Sequence, residues 1–124
     1  MEFKALKAKE REKFQGLEKF PAPSDIREVS FHSDELVSNC PITGQPDFNS
    51  IDITYTPDKF CVESKSLKLY LMTFHDQGLF GESLASEIAH RFMNAIKPKF
   101  VTVVLHQHIR GGLQMDVKAF LSSL

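Results

Sequence analysis

The chain has 124 residues, a formal net charge of -1, 25% charged residues and 42% hydrophobic ones, which suits a single globular domain with one modest core. Without a basic excess, a nucleic-acid binder relying on phosphate contacts is disfavoured, and no run approaches the length of a membrane span. The two cysteines, Cys40 and Cys61, make no disulfide framework, and with no secretory signal they indicate a cytoplasmic chain with reduced thiols.

Residues 1–24 read as a charged N-terminal arm, dense in Lys and Glu, with Phe3, Leu6, Phe14, Leu17 and Phe20 between the charges. The arm is expected to be frayed or partly helical, or to pack on a neighbouring subunit, and Pro21 and Pro23 end it. A single domain over 25–124 follows. Residues 26–33 alternate through Val29 and Phe31, which predicts a strand. Residues 48–56 alternate again through Phe48, Ile51, Ile53 and Tyr55, with one slip of register after Phe48. Leu67, Leu71 and Phe74 recur at helical spacing within 63–77. Phe80, Leu84, Ile88, Phe92 and Ile96 recur every four residues, widened by Ala89 and Met93, and Pro98 closes that second helix. Residues 99–109 and 113–119 are strands about the Gly111-Gly112 turn. The order ββααββ predicts an α+β domain, a four-stranded antiparallel sheet with two helices on one face.

Chemistry concentrates in the run Cys40-Pro41-Ile42-Thr43-Gly44-Gln45-Pro46-Asp47. An isolated cysteine is commonly a buried free thiol, but this neighbourhood would make a poor core segment. A thiol and a carboxylate displayed from one rigid loop fit a nucleophile and a general acid or base. Lys65 and Lys68 share a face at the start of a helix, where the dipole favours anions. They read as a phosphate site or as a solvated basic face, and Arg110 as a third phosphate contact or a turn residue. Glu82 opens the second helix and is either a dipole-favoured acid or a carboxylate that accepts from a guanine-like ring edge. His106 and His108 have strand spacing and could bind zinc with Cys40 or Cys61, but no metal-ligand motif supports this, and paired surface or core histidines are the better reading.

Together CPITGQPDF, ESKSLKLYL, the Phe80–Glu82 segment and RGG resemble the single-domain, NADPH-dependent 7-cyano-7-deazaguanine reductases of the queuosine pathway, over about residues 25–118. The resemblance implies a tunnelling fold (T-fold) in a homo-oligomer, two stacked rings with active sites between subunits, which would also cover open sheet edges. It implies that Cys40 attacks the nitrile to form a thioimide and that Asp47 donates the proton. Glu82, with Glu63 and Ser64, would hold the deazaguanine, and Lys65, Lys68, Arg110 and Gly111 the NADPH. The expected partners are this small molecule and further copies of the chain, with no membrane and no direct nucleic-acid contact. The family has histidine where this chain has Gly81, a residue held to assist proton transfer or enclose the imine. Glycine there would leave room for water or another group, or mark a changed reaction. The second reading is therefore the related archaeosine-type transferase that adds ammonia to the nitrile within tRNA. A zinc-dependent pterin-type hydrolase and a non-catalytic purine- or pterin-binding module are more distant.

Overall fold

The computed structural model describes residues 14–124, and the charged run at 1–13 lies outside the described residues. The elements are β1 (Lys19–Pro21), β2 (Val29–Asn39), β3 (Pro46–Thr56), β4 (Phe60–Val62), α1 (Ser64–Met72), α2 (Gly81–Ile96), β5 (Phe100–Arg110) and β6 (Leu113–Ser122). The main sheet runs β2-β3-β5-β6, antiparallel throughout, and β1 pairs with β4 in a second, two-stranded sheet. The order ββααββ therefore holds for the main sheet. Ile51, Ile53, Tyr55, Val101, Val103 and Leu105 from its inner face meet Leu84, Ile88 and Phe92 of α2 in one core. Period two in the strands and period 3.6 in the helix place these residues on facing surfaces. No helix among the described residues is long and apolar enough to cross a membrane.

Three sequence expectations change. The described part of the N-terminal segment is not a free arm. Lys19–Pro21 pairs with Phe60–Val62, the Glu63 N–H donates to the Glu18 carbonyl at 2.8 Å, and the Phe14 ring lies 5.4 Å from Tyr70. Phe14 and Leu17 pack, partly buried, against the core, so residues 14–24 join the domain. Phe48 does not belong to the core face of β3. The inner set is Asp47, Asn49, Ile51, Ile53 and Tyr55, and Phe48 stands on the other face, so the apparent slip is two polar residues continuing the buried register. Phe80 leaves the α2 stripe because it is the N-cap, with extended φ -67 and ψ 147, and it is 54% exposed.

The outer face of the sheet carries a charge ladder across all four strands. His32 Nδ1 meets Asp52 Oδ1 at 2.7 Å and His32 Nε2 meets Asp34 Oδ1 at 2.9 Å. His106 Nδ1 meets Asp116 Oδ1 at 2.8 Å, with Asp52 Oδ2 3.5 Å from Nε2. Asp52, then Asp34, hold His32 above its ordinary value. Asp116, then Asp52, do the same for His106, and His106 in turn holds Asp116 low. Raised imidazoles give stability that is present below about pH 6.5 and lost as pH rises through their folded values. The lowered Asp116 gives stability present above about pH 3.9 and lost as pH falls through its folded value. The ladder thus supports the sheet best between about pH 4 and 6.5. We expect His106→Gln to flatten the fall in melting temperature between pH 6 and 8.5 in low salt. The exposed groups keep the effect small and salt-sensitive. Equal slopes for variant and wild type would refute this role.

Candidate active site

The turn between β2 and β3 displays Cys40. Its N–H donates to the Gln45 carbonyl at 2.8 Å, and the Gly44 N–H donates to the Cys40 carbonyl at 2.8 Å. Pro41 and Pro46 fix φ at either side, and Gly44 takes the left-handed φ of 72 that closes the turn. The Thr43 hydroxyl, then the backbone N–H groups of Thr43 and Ile42, hold the Cys40 thiol below its usual range, outweighing partial burial and the Asp47 charge. Thiolate is the reactive form of a cysteine, so these donors favour the reactive state of this thiol. Thr43→Val should move the midpoint of the pH profile for Cys40 alkylation upward while leaving the melting temperature near wild type. An unmoved midpoint would remove Thr43 from thiolate stabilisation.

Asp47 follows on the inner face of β3, only 8% exposed. A buried carboxylate needs a partner, and Arg110, the last residue of β5, provides one. Arg110 Nη1 donates to Asp47 Oδ1 and, at 3.1 Å, to the Pro46 carbonyl, while Nη2 donates to Gln45 Oε1 at 2.6 Å. The planar fork thus clamps the far end of the cysteine turn as well as the carboxylate. The pairing Asn49↔Gln107 between β3 and β5 aligns the two strands to make this possible.

A third segment closes the site. The Asn39 N–H donates to the Gln77 carbonyl at 2.9 Å, and the Leu79 N–H donates to the Asn39 carbonyl at 3.1 Å. Gly78 packs against Pro41, whose Cα would be in van der Waals contact, at 3.5 Å, with a Cβ added there. The first turn of α2 is thereby carried beside the cysteine loop, and a cleft of about 340 Å³ brings together Cys40, Asp47, Glu82 and Arg110, with Phe80, Gly81, Gln107 and Met115 also in its lining. Glu82 lies in the first turn of α2, where the helix dipole favours an anion. The space beside Gly81 is not open to water. A Cβ on residue 81 would lie 2.5 Å from Met115 Cε and 3.4 Å from Leu105 Cδ2.

Other residues singled out in the sequence stand elsewhere. Glu63 caps α1, its carboxylate accepting from the Lys65 and Ser66 N–H groups at 2.7 and 2.8 Å. Those N–H groups, first that of Lys65, hold it below the usual carboxylate range. Ser64, Lys65 and Lys68 line a separate cleft of about 880 Å³ against β2, which shares no lining residue with the first. Gly111, at φ 58, turns β5 into β6. Sequence reasoning gave no role to Thr43, Gln107 or Met115. Thr43 lies inside the quoted run and was within reach of a local argument. Met115 has no such signal, because only the fold brings β6 against α2.

The family model of the QueF-like proteins matches residues 46–122. The chain is 43% identical over 105 residues to the NADPH-dependent 7-cyano-7-deazaguanine reductase of Alkalilimnicola ehrlichii, covering 83% of this chain and 81% of the relative. It is 42% identical over 97 residues to the protein of the same name from Rhodopirellula baltica, covering 78% and 80%. The crystal structure of the archaeosine synthase QueF-Like in the apo form superposes with a TM-score of 0.74 at 20% identity, over 83% of this chain and 98% of that one, a likeness of fold. This chain belongs to the QueF-like protein family.

Proposed function

We propose that this chain is an NADPH-dependent nitrile reductase that converts 7-cyano-7-deazaguanine to 7-aminomethyl-7-deazaguanine in queuosine biosynthesis. The observation that carries this reading is the convergence of a thiolate-favouring Cys40 and a buried Asp47 in one cleft, in a chain similar over most of its length to reductases of that name. The Cys40 sulfur attacks the nitrile carbon. The C–S bond forms as one C–N π bond becomes an N–H bond, and Asp47 passes the proton to nitrogen. Glu82 accepts from the N–H groups of the deazaguanine edge and fixes the nitrile over the sulfur.

The chain's own residues suit the cofactor. Lys65 and Lys68 line the 880 Å³ cleft, which also has the apolar walls of Phe31, Leu69 and Leu71. Two ammonium groups beside an apolar hollow of that size fit the phosphates and rings of a dinucleotide. Lys65 and Lys68 would hold NADPH there, which would supply one hydride per molecule, two molecules in turn being needed to take the thioimide to the amine. We place the working site between subunits of a homo-oligomer, in which a neighbour's lysine cleft would complete the cysteine cleft. Among the described residues β2 and β6 are the edge strands of the main sheet, and these edges with the exposed Phe120, Ile109 and Leu113 support that arrangement.

NADPH absorbance in a mixture of protein, 7-cyano-7-deazaguanine and NADPH tests the reading. Two NADPH should be oxidised per nitrile consumed. A covalent adduct on Cys40 with no NADPH oxidised would overturn reduction and favour ammonia addition.

A further inference from the structure

Among the described residues Gly81 is the one glycine whose missing side chain would collide with the protein. Every other glycine meets nothing closer than 3.5 Å, but a Cβ on Gly81 would overlap the Met115 methyl at 2.5 Å. Gly81 is itself buried, at the first residue of α2. Met115 comes from β6, paired in register with Gln107 of β5, and reaches across to that helix start. Both residues line the cleft that holds Cys40. The fit is reciprocal: residue 81 must be small for the thioether to lie there, and the thioether fills the notch that a residue without a side chain leaves.

The position matters because of what the cleft would hold. A thioimide carbon is electrophilic, and the rim carries polar groups, Glu82, Gln107 and Arg110, that would order water near it. Apolar wall on the β6 side comes from Met115, an unbranched and adaptable side chain that moulds to a ligand. Water reaching the thioimide would add to its carbon. The C–S bond would then break, the Cys40 thiol would return, and the nitrile would leave as a carboxamide, a net hydration needing no other reactant.

We propose that Met115 and Gly81 act as one unit, the Met115 thioether filling the wall that residue 81 leaves open and keeping water from the covalent intermediate on Cys40. This rests on the reductase reading only through its first, thioimide-forming step.

The test follows the Cys40 adduct by intact-protein mass spectrometry without NADPH, after brief exposure to 7-cyano-7-deazaguanine, with released small molecules identified. Met115→Ala opens the wall directly. Gly81→Ala displaces the thioether without altering it, and so gives a second route should Met115→Ala fold poorly. Both should shorten the adduct lifetime by about tenfold, about 1.4 kcal/mol off the barrier to hydration, and release carboxamide, whereas Met115→Leu should behave as wild type. Adducts that decay at the wild-type rate in both alanine variants, or that revert to free nitrile with no carboxamide, overturn the proposal. No adduct on the wild-type protein would bring down the thioimide chemistry itself, and the proposal with it. An adduct without NADPH oxidation in the complete mixture would sink only the reduction.

Discussion

Cys40→Ala should abolish the nitrile adduct and lower NADPH oxidation by on the order of 10⁴-fold or more, the scale seen when a covalent nucleophile is removed. Cys40→Ser should do nearly as badly, because a hydroxyl is far less ionised than a thiol whose loop already favours the anion. The chain contains its own control. Cys61 lies in β4 with 4% of its surface exposed, its neighbourhood packed rather than open. Cys61→Ala should lose some stability through the lost packing and keep a full adduct. Neither Cys40 variant should disturb the fold, since the turn is held by backbone hydrogen bonds and by Gly44, not by the sulfur. An adduct that survives in Cys40→Ala would mean that the nucleophile lies elsewhere.

The two cysteines also indicate what local sequence can and cannot reveal. The Cys40 turn was legible because two prolines and a glycine state their geometry within eight residues. The α2 stripe was legible because Leu84, Ile88, Phe92 and Ile96 are separated by one helical turn each. Strand β2 was read only as far as Ser33, whereas it runs to Asn39. A register shift between Ser33 and Leu36 breaks the alternation there, and a bulge inserts a residue that period-two reasoning cannot follow. Strands β1 and β4 have three residues each, too few to show any period, and exist through pairing with each other. The neighbours of Arg110 suggest a phosphate contact or a turn residue, whereas its hydrogen-bonding partners lie 63 to 65 residues away. Only the β3–β5 register brings them together.

That pairing yields the second large effect. Asp47→Asn keeps the volume and some hydrogen bonding to Arg110, but an amide can neither take the thiol proton nor deliver one to the nitrile nitrogen. We expect adduct formation to slow by about 10²- to 10⁴-fold, the usual range for a lost general acid or base. Arg110 then separates two roles. If it serves by holding Asp47 and Gln45 as the structure has them, Arg110→Ala should slow adduct formation with no NADPH present. Arg110→Lys should restore little, because an ammonium cannot reproduce the fork to Asp47, Pro46 and Gln45. If it serves only the cofactor phosphates, adduct formation without NADPH should match wild type, and the damage should appear as a raised KM for NADPH. The 43% exposure of its side chain permits both roles in turn. A combined result, slower adduct formation and a raised KM, would make Arg110 the link between the thiol chemistry and the arrival of the reductant.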